Sequence, residues 1–552
     1  MTIQNWLKDI LLFSVVLAGA GAIAAYLLAS DRIDAPIAHE PISQTIEMAA
    51  ELLDEFVDKE LEADNLQATN AASQAQIFRR LALALAGTLP SVEELRRLDE
   101  IAANDRVGWY VSHLLQDKRT VDYLAERFAR AFIGVDEGPF LVYRRTRFVS
   151  WLSEQIEQNT PYDVLTKKML TSTGIWTDKP EVNFYTYNII PDGDDETKPD
   201  PIRLASRTSR AFLGMRIDCL QCHDDFLGTM NLGSAEDPIG GLQLHFHSLA
   251  SFFSQVENSL WGIRDNLESE TYQYKLLDAE KESAIAPSLP FDSDFDNASE
   301  ANLRLRLSNW MTHRQNRPYA RAAVNRIWAI MFGRGLIQPV DDLPLEGPFP
   351  KPLEVLVDDF IANGYDIQRL IRIVASSKAF QRDSQADFEI LSLHESKLAV
   401  FPMIRLRPEQ VAGAIVQSTS LKTIDSTSHI IARLIKFGHQ TDFVDRFGDP
   451  GEDEFIEKSE TITQRLLMMN GDMINDRLTN RLNSVTRIAM LSPSVEKAIE
   501  TIYLATLSRP PTKQESARFV SQLDELTGGQ RSEKVSDLFW TLINSVEFIW
   551  NH

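Results

Sequence analysis

Two cysteines occur in the 552 residues, Cys219 and Cys222, and they lie three positions apart. No disulfide framework and no four-cysteine zinc site can be built from such a pair, so apolar burial has to hold the fold together. The chain has the material for it, with 44% apolar and 24% charged residues, as in ordinary globular proteins. The 56 basic residues stand against 79 acidic ones, a net charge of −23. A chain this acidic repels a phosphate backbone, and no nucleic-acid partner is expected.

Apolar residues recur at helical spacing along most of the chain, and convincing alternation of period two is almost absent. The expected fold class is all-α, mainly helical, with several subdomains and one N-terminal transmembrane helix. Ile10 to Ser30 are 21 consecutive uncharged residues, enough to cover a hydrocarbon core of roughly 30 Å. Ala18, Ala20, Ala22 and Ala24 offer small-x-small cleavage sites, so a cleaved signal is the rival reading; the apolar run continues to Leu28, which favours an anchor. Either reading sends the rest of the chain across a membrane. The expected location is the inner membrane, single-pass, with the soluble part in the periplasm, a cleaved and secreted form being the alternative.

After residues 1–32, the segment 33–75 reads as an acidic stalk helix: residues 31–64 carry 11 acids against two bases, yet Ile46, Leu52, Leu53, Phe56 and Val57 keep near-helical spacing. Residues 76–262 form a helical domain in which Gly87 and Pro90 end one helix and a Ser91–Glu94 capping box starts the next. Residues 263–300 read as an acidic linker or insertion, and 301–552 as a second helical domain. Residues 301–382 hold 12 bases against seven acids. Local carboxylates such as Asp341 and Asp342, close in sequence to Arg326 and Arg334, are the favoured partners; a docking surface for the acidic stalk or linker is the alternative.

The chemistry concentrates in Cys219, Leu220, Gln221, Cys222 and His223, the Cys-x-x-Cys-His pattern of covalent haem c attachment. Two thiols one turn apart can each add across one vinyl group of the same porphyrin, and the adjacent imidazole of His223 then reaches the iron as proximal ligand. A redox dithiol and a metal or structural clip are the competing uses. For the distal iron position the nearest candidates are Met215, Met230, His245 and His247, and an empty site is equally allowed. Asp192, Asp194, Asp195, Glu196, Asp224 and Asp225 lack the ordered spacing of a calcium loop and read as solvated acids. No Ser nucleophile elbow, HExxH, Walker loop or dinucleotide fingerprint occurs, so no hydrolase or transferase centre can be named.

The phrases FRRLALALAGTLPSVEEL, YDVLTKKMLTSTG and AFLGMRIDCLQCHDDF resemble the planctomycete-type cytochrome-c-like domain family, whose biochemical role is not established. RPYARAAVNRIWAIMFGRGLIQPVDDL, IRLRPEQVAGAI and YLATLSRPPTKQE are similar to its usual C-terminal partner, a planctomycete-type domain of unknown function. The resemblance implies a role for Cys219, Cys222 and His223 alone. Members commonly continue the motif with Asp-His-Pro, whereas Asp224 is here followed by Asp225 and Phe226. The expected function is a membrane-anchored periplasmic c-type haem protein, a redox carrier rather than a stand-alone enzyme, exchanging electrons with a redox or scaffold protein partner. The alternatives are a non-redox membrane-tethered scaffold, with the motif as a disulfide or metal clip, and a haem peroxidase.

Overall fold

The computed structural model describes residues 43–552 except 136–142, 191–197, 235, 270, 292–293, 421, 425–442, 450, 452–454, 456–460 and 480–483. Helices carry most of these residues, and the strands occur as three two-stranded antiparallel ladders. Among the described residues no helix is long and apolar enough to cross a membrane; the expected span at 10–30 lies outside them.

The local signals act as their chemistry requires. Ser73 with Gln76 and Ser91 with Glu94 form capping boxes, and Gly87 closes the helix Gln74–Ala86 in the left-handed conformation. The acidic segment forms the helix Gln44–Ala63, whose stripe of Ile46, Ala50, Leu53, Val57 and Leu61 is buried. An apolar stripe needs a partner, and it packs on the helices Lys351–Ala362 and Ile367–Ser376. Its acids dock there too: Asp54 accepts the Lys378 backbone N–H at 2.9 Å, and Asp58 pairs with Arg382 at 2.7 Å.

Two hydrophobic cores result. The first joins the acidic helix, most of residues 77–263 and residues 307–401; the second gathers residues 406–549 around Val411, Ile415, Ile499, Val535 and Phe539, and takes in Leu83, Leu89 and Val92 from the first half. Along the chain the two cores change over between Phe401 and Leu406. The helix Gln74–Ala86 is buried from Ile77 to Leu85 and lies between the two cores. Its arginines are buried with it. Arg79 donates to the carbonyl oxygens of Phe548 at 2.8 Å and Glu547 at 3.2 Å, and Arg80 to those of Arg382 at 2.7 Å, Phe380 at 2.9 Å and His552 at 2.9 Å.

The bases of 301–382 find partners of both expected kinds. Arg317 and Arg321 share the nearby Glu354, and Arg369 meets Asp359. Arg304 and Arg306 reach back to Asp265 and Asp296 of the acidic stretch, at 2.6 and 2.5 Å. The partners expected for Asp341 and Asp342 are corrected. Arg334 pairs with Glu395, and Asp341 is held by Arg210 and Arg216 from the first half, at 2.9 and 2.7 Å. Each guanidinium presents two N–H groups to one carboxylate oxygen. Burial pushes the Asp341 carboxyl up, but the two arginines bring it below the usual carboxylate range. Asp342 only accepts the Arg216 backbone N–H at 3.4 Å, and burial raises it.

Asp341→Ala is therefore expected to lower stability by about 1–3 kcal/mol, the cost of stranding half-buried guanidinium donors, and Asp342→Ala by less than about 1 kcal/mol. Urea unfolding midpoints check the order, and an equal loss at both positions contradicts it. A second expectation concerns acid. Glu94 is buried, which raises its carboxyl, yet Arg119, His113 and the Ser91 N–H bring it from 4.5 to about 2. Because the folded group titrates lower than the free one, its contribution is complete above about pH 4.5 and is lost as pH falls toward about 2. Glu94→Gln should flatten this limb of the stability–pH profile, and an unchanged acid limb would show that the group contributes nothing there.

Candidate functional site

The route into the Cys-x-x-Cys-His motif is held from below by the second half of the chain. The helix Pro201–Thr208 widens into the π-turn Ser209–Leu213 and stops at Gly214, with φ of 62°. A Cβ there would lie 2.9 Å from Leu343 Cδ1 and 3.2 Å from Ala322 Cβ, so only glycine permits the approach. Leu343 donates its N–H to the Gly214 carbonyl at 2.6 Å, and Asp341 grips Arg210 and Arg216 on either side.

Past Arg216, Ile217 and Leu220 are buried and pin a short 3-10 turn, Asp218–Gln221. Cys222 N–H donates to the Cys219 carbonyl at 3.3 Å, which brings the two residues into one turn, with both thiols free and exposed. Burial, together with the nearby acids Asp225 and Asp218, pushes the Cys219 thiol up. His223 is exposed, and its Nδ1–H donates to the Asp224 carbonyl at 2.7 Å. That bond fixes the tautomer in which Nε2 carries the lone pair, as second-shell carbonyls do for metal-ligating imidazoles.

The inner side of the turn is fastened through one atom. The Gln221 carbonyl accepts from Gln243 Nε2 at 3.0 Å, from His247 Nε2 at 3.1 Å and from Tyr274 Oη at 3.4 Å. His247 is fully buried, its ring lies 3.5 Å from that of Tyr274, and its Nδ1 accepts from the Tyr272 hydroxyl at 2.9 Å. Burial lowers its pKa, so it serves as a neutral imidazole with both nitrogens engaged. Tyr272 and Tyr274 belong to the stretch read as an acidic linker, where Gln273–Tyr274 pairs with Ser283–Ala284. Two tyrosines separated by one residue in a polar segment were the signal for that strand.

The loop that follows is rigidly drawn. Asp224 Oδ1 accepts Gln243 N–H at 2.7 Å, and Asp225 accepts the N–H groups of Met230 at 2.6 Å and Leu227 at 3.2 Å. These acids thus shape the loop; Asp192, Asp194, Asp195 and Glu196 lie outside the described residues. Gly241 lets Met230 and Leu220 close in, since a Cβ there would meet Met230 Sδ at 2.9 Å. The same loop leaves Phe226 and Leu227 76% and 87% exposed, with Ile239, Leu242 and Leu244 also open to solvent.

Of the four distal candidates, Met215 is buried in the core and His247 is committed to the turn. His245 is half-buried and accepts the Leu242 N–H through Nδ1 at 3.1 Å, and Met230 is half-buried against Gly241. Among the described residues, the metal-ligating side chains whose ligand atoms converge within 4.8 Å are Glu94, His113 and Asp117; Cys219, Cys222 and His223 do not converge in this way. Arg119 already meets Glu94 at 2.6 Å and Asp117 at 2.7 Å, so a guanidinium takes the place of a cation there.

Residues 52–257 match the family model described as PSCyt2, protein of unknown function (DUF1549), and residues 303–523 the one described as PSD1, protein of unknown function (DUF1553). The two lie in the order that the sequence phrases imply. No curated protein and no solved structure matches the chain.

His247→Leu removes the hydrogen bond from the Tyr272 hydroxyl and the one to the Gln221 carbonyl, and the second costs the turn about 1 kcal/mol. Amide exchange across 218–223 is expected to accelerate about fivefold, with slower regions unaffected. Unchanged exchange in that turn would show that His247 does not hold it.

Proposed function

We propose that the protein is a membrane-anchored periplasmic c-type haem protein that exchanges electrons with a partner protein through the surface around Cys219, Cys222 and His223. The observation that carries this is the His223 imidazole, exposed beside two free thiols of one turn, with Nδ1–H bound to a carbonyl and Nε2 left to ligate. Cys219 and Cys222 would each add S–H across one vinyl group, and His223 Nε2 would hold the iron. When bound, the haem supplies a one-electron redox centre. The chain's own part is to orient the imidazole through Asp224 and to keep the turn in shape through His247 and Gln243, with Phe226 and Leu227 as the exposed apolar side chains that a bound haem would have beside it.

The acids Asp218 and Asp225 near Cys219 work against an activated dithiol, because negative charge beside a thiol does not favour the thiolate. A zinc clip is disfavoured by the divergence of the three ligand atoms among the described residues. Residues 301–552 act in this proposal as the scaffold that positions the motif, through Asp341 and Leu343. In this proposal the anchor is residues 10–30, which lie outside the described residues.

The full chain, produced in cells that attach haem c, is expected to carry the mass of one haem and to give a pyridine haemochrome spectrum. The double variant Cys219→Ala, Cys222→Ala should stay folded, since both thiols are exposed, and lose the covalent adduct. An intact mass of the bare polypeptide, or one lower by two hydrogens, would instead establish the motif as a thiol pair or a disulfide clip.

A further inference from the structure

Beyond the Phe226–Leu227 rim the surface stays apolar, and three hydrogen bonds draw separate stretches of chain into it. Asp225 donates its N–H to the Gly241 carbonyl at 2.8 Å, Gln243 donates its own to Asp224 Oδ1 at 2.7 Å, and Leu277 to Gln243 Oε1 at 2.8 Å. Leu242 and Leu244, on either side of the buried Gln243, thereby come next to Leu277 and to the rim, and Ile239 precedes them where its carbonyl accepts the Leu232 N–H. Leu242, Leu244 and Leu277 are 42%, 45% and 62% exposed. A single apolar residue in water is ordinary, whereas several joined on one surface mark contact with another molecule.

The charge around this patch has one sign. From Ile217 to Ile263 the chain holds six acids and neither Lys nor Arg, although it has 56 of those bases in all. The arginines at the two ends of that stretch are engaged: Arg216 by Asp341 and Arg264 by Glu257. Glu236 and Asp237 are exposed and form no ion pair among the described residues, and Asp218 lies 3.8 Å from Arg210, which Asp341 also holds. The segment around Leu277 brings Lys275 and Lys281 together with Asp278, Glu280 and Glu282, so it adds no positive excess.

We infer that this surface docks a basic protein, whose own apolar patch meets Leu242, Leu244 and Leu277 and whose lysines or arginines face Glu236, Asp237 and Asp218. An acidic partner or an anionic lipid surface would meet like charge here, whereas a basic one is steered in and oriented. The inference deepens the haem reading by giving the chemistry of the partner, and it rests on that reading for the purpose of the contact.

The test is calorimetric titration of the detergent-solubilised full chain with a lysine-rich cytochrome c, and with the same probe after its lysines are acetylated. The unmodified probe is expected to bind saturably and to weaken about tenfold from about 20 to about 200 mM salt, and the acetylated probe not to bind. Glu236→Lys with Asp237→Lys should weaken the probe about tenfold, and Leu242→Ser with Leu277→Ser about fivefold, whereas Glu525→Lys with Glu533→Lys, exposed acids of the second half, should change it less than about twofold. Melting curves confirm that these surface variants fold. The inference is overturned if the probe does not bind saturably, if acetylation changes nothing, or if the two charge reversals weaken binding equally, which would reduce the effect to the net charge of the chain. It is overturned as well if sedimentation shows a dimer of this chain that Leu242→Ser with Leu277→Ser dissociates, since a second copy would then cover the patch. Intact mass read on the same sample separates the two proposals: a bare polypeptide that binds the probe overturns the haem reading alone, and a haem-bearing chain that does not bind overturns this one alone.

Discussion

Two neighbouring buried guanidinium groups tie a helix of the first half to residues 380–382 and to the last residues of the chain. Arg79 and Arg80 follow each other in a helix that is buried from Ile77 to Leu85, and their side chains leave it about 100° apart and serve different neighbours. Arg79 reaches the carbonyls around 547–550, and Arg80 reaches those of 380, 382 and 552 while its guanidinium lies 3.7 Å from the Phe401 ring. Burial pulls the first down to about 10 and the second to about 9. Glu547 beside Arg79 and Asp383 beside Arg80 offset part of that cost, while the carbonyl oxygens accept their N–H groups. A buried charge satisfied in this way cannot be released without leaving several acceptors and one cation stranded, which is why the helix, the second core and the last residues must assemble together.

The candidate site inherits its geometry from the same interdependence. Asp341 and Leu343 come from the part of the chain that matches PSD1, and the turn they brace comes from the part that matches PSCyt2. Gly214 has no room for a side chain because Leu343 and Ala322 occupy it. On the other face, His247 and Gln243 fasten Gln221. A five-residue motif at the surface is thus fixed from two directions, by Asp341 and Leu343 through the preceding segment and by His247 and Gln243 directly, and neither matched region holds it alone.

What the sequence disclosed follows from range. Helix class, the capping box at Ser91 and the helical character of the acidic segment depend on neighbours within a turn or two, and the structure has them, with Ile46, Leu53 and Val57 buried as the spacing implied and Leu52 exposed. Partners at long range were not legible. Asp341 carries nothing in its own phrase that points to Arg210 and Arg216 rather than to Arg326 and Arg334. Arg79 and Arg80 look like the solvated face of an amphipathic helix until a second core is placed against them. His247 shares the composition of a ligand; only the fold shows Gln221 and Tyr272 using both of its nitrogens. The motif itself was legible because its three residues act within one turn.

The loop after the motif gives the strongest reason to look for a large flat ligand there. Two big apolar side chains in water, Phe226 and Leu227, forgo roughly 1.5–3 kcal/mol each that burial would provide. A floppy loop would fold them inward. Here Asp225 binds the N–H groups of Leu227 and Met230, Asp224 caps the helix Gln243–Ala250, and Gly241 admits Met230 against Leu220, so hydrogen bonds and packing set the loop with Leu227 in solvent and the Phe226 ring stacked on His223. A disulfide or metal clip would engage the thiols and leave this apolar rim without a purpose. A porphyrin attached at Cys219 and Cys222 would engage thiols, imidazole and rim together, and that joint use is what favours it over the clip.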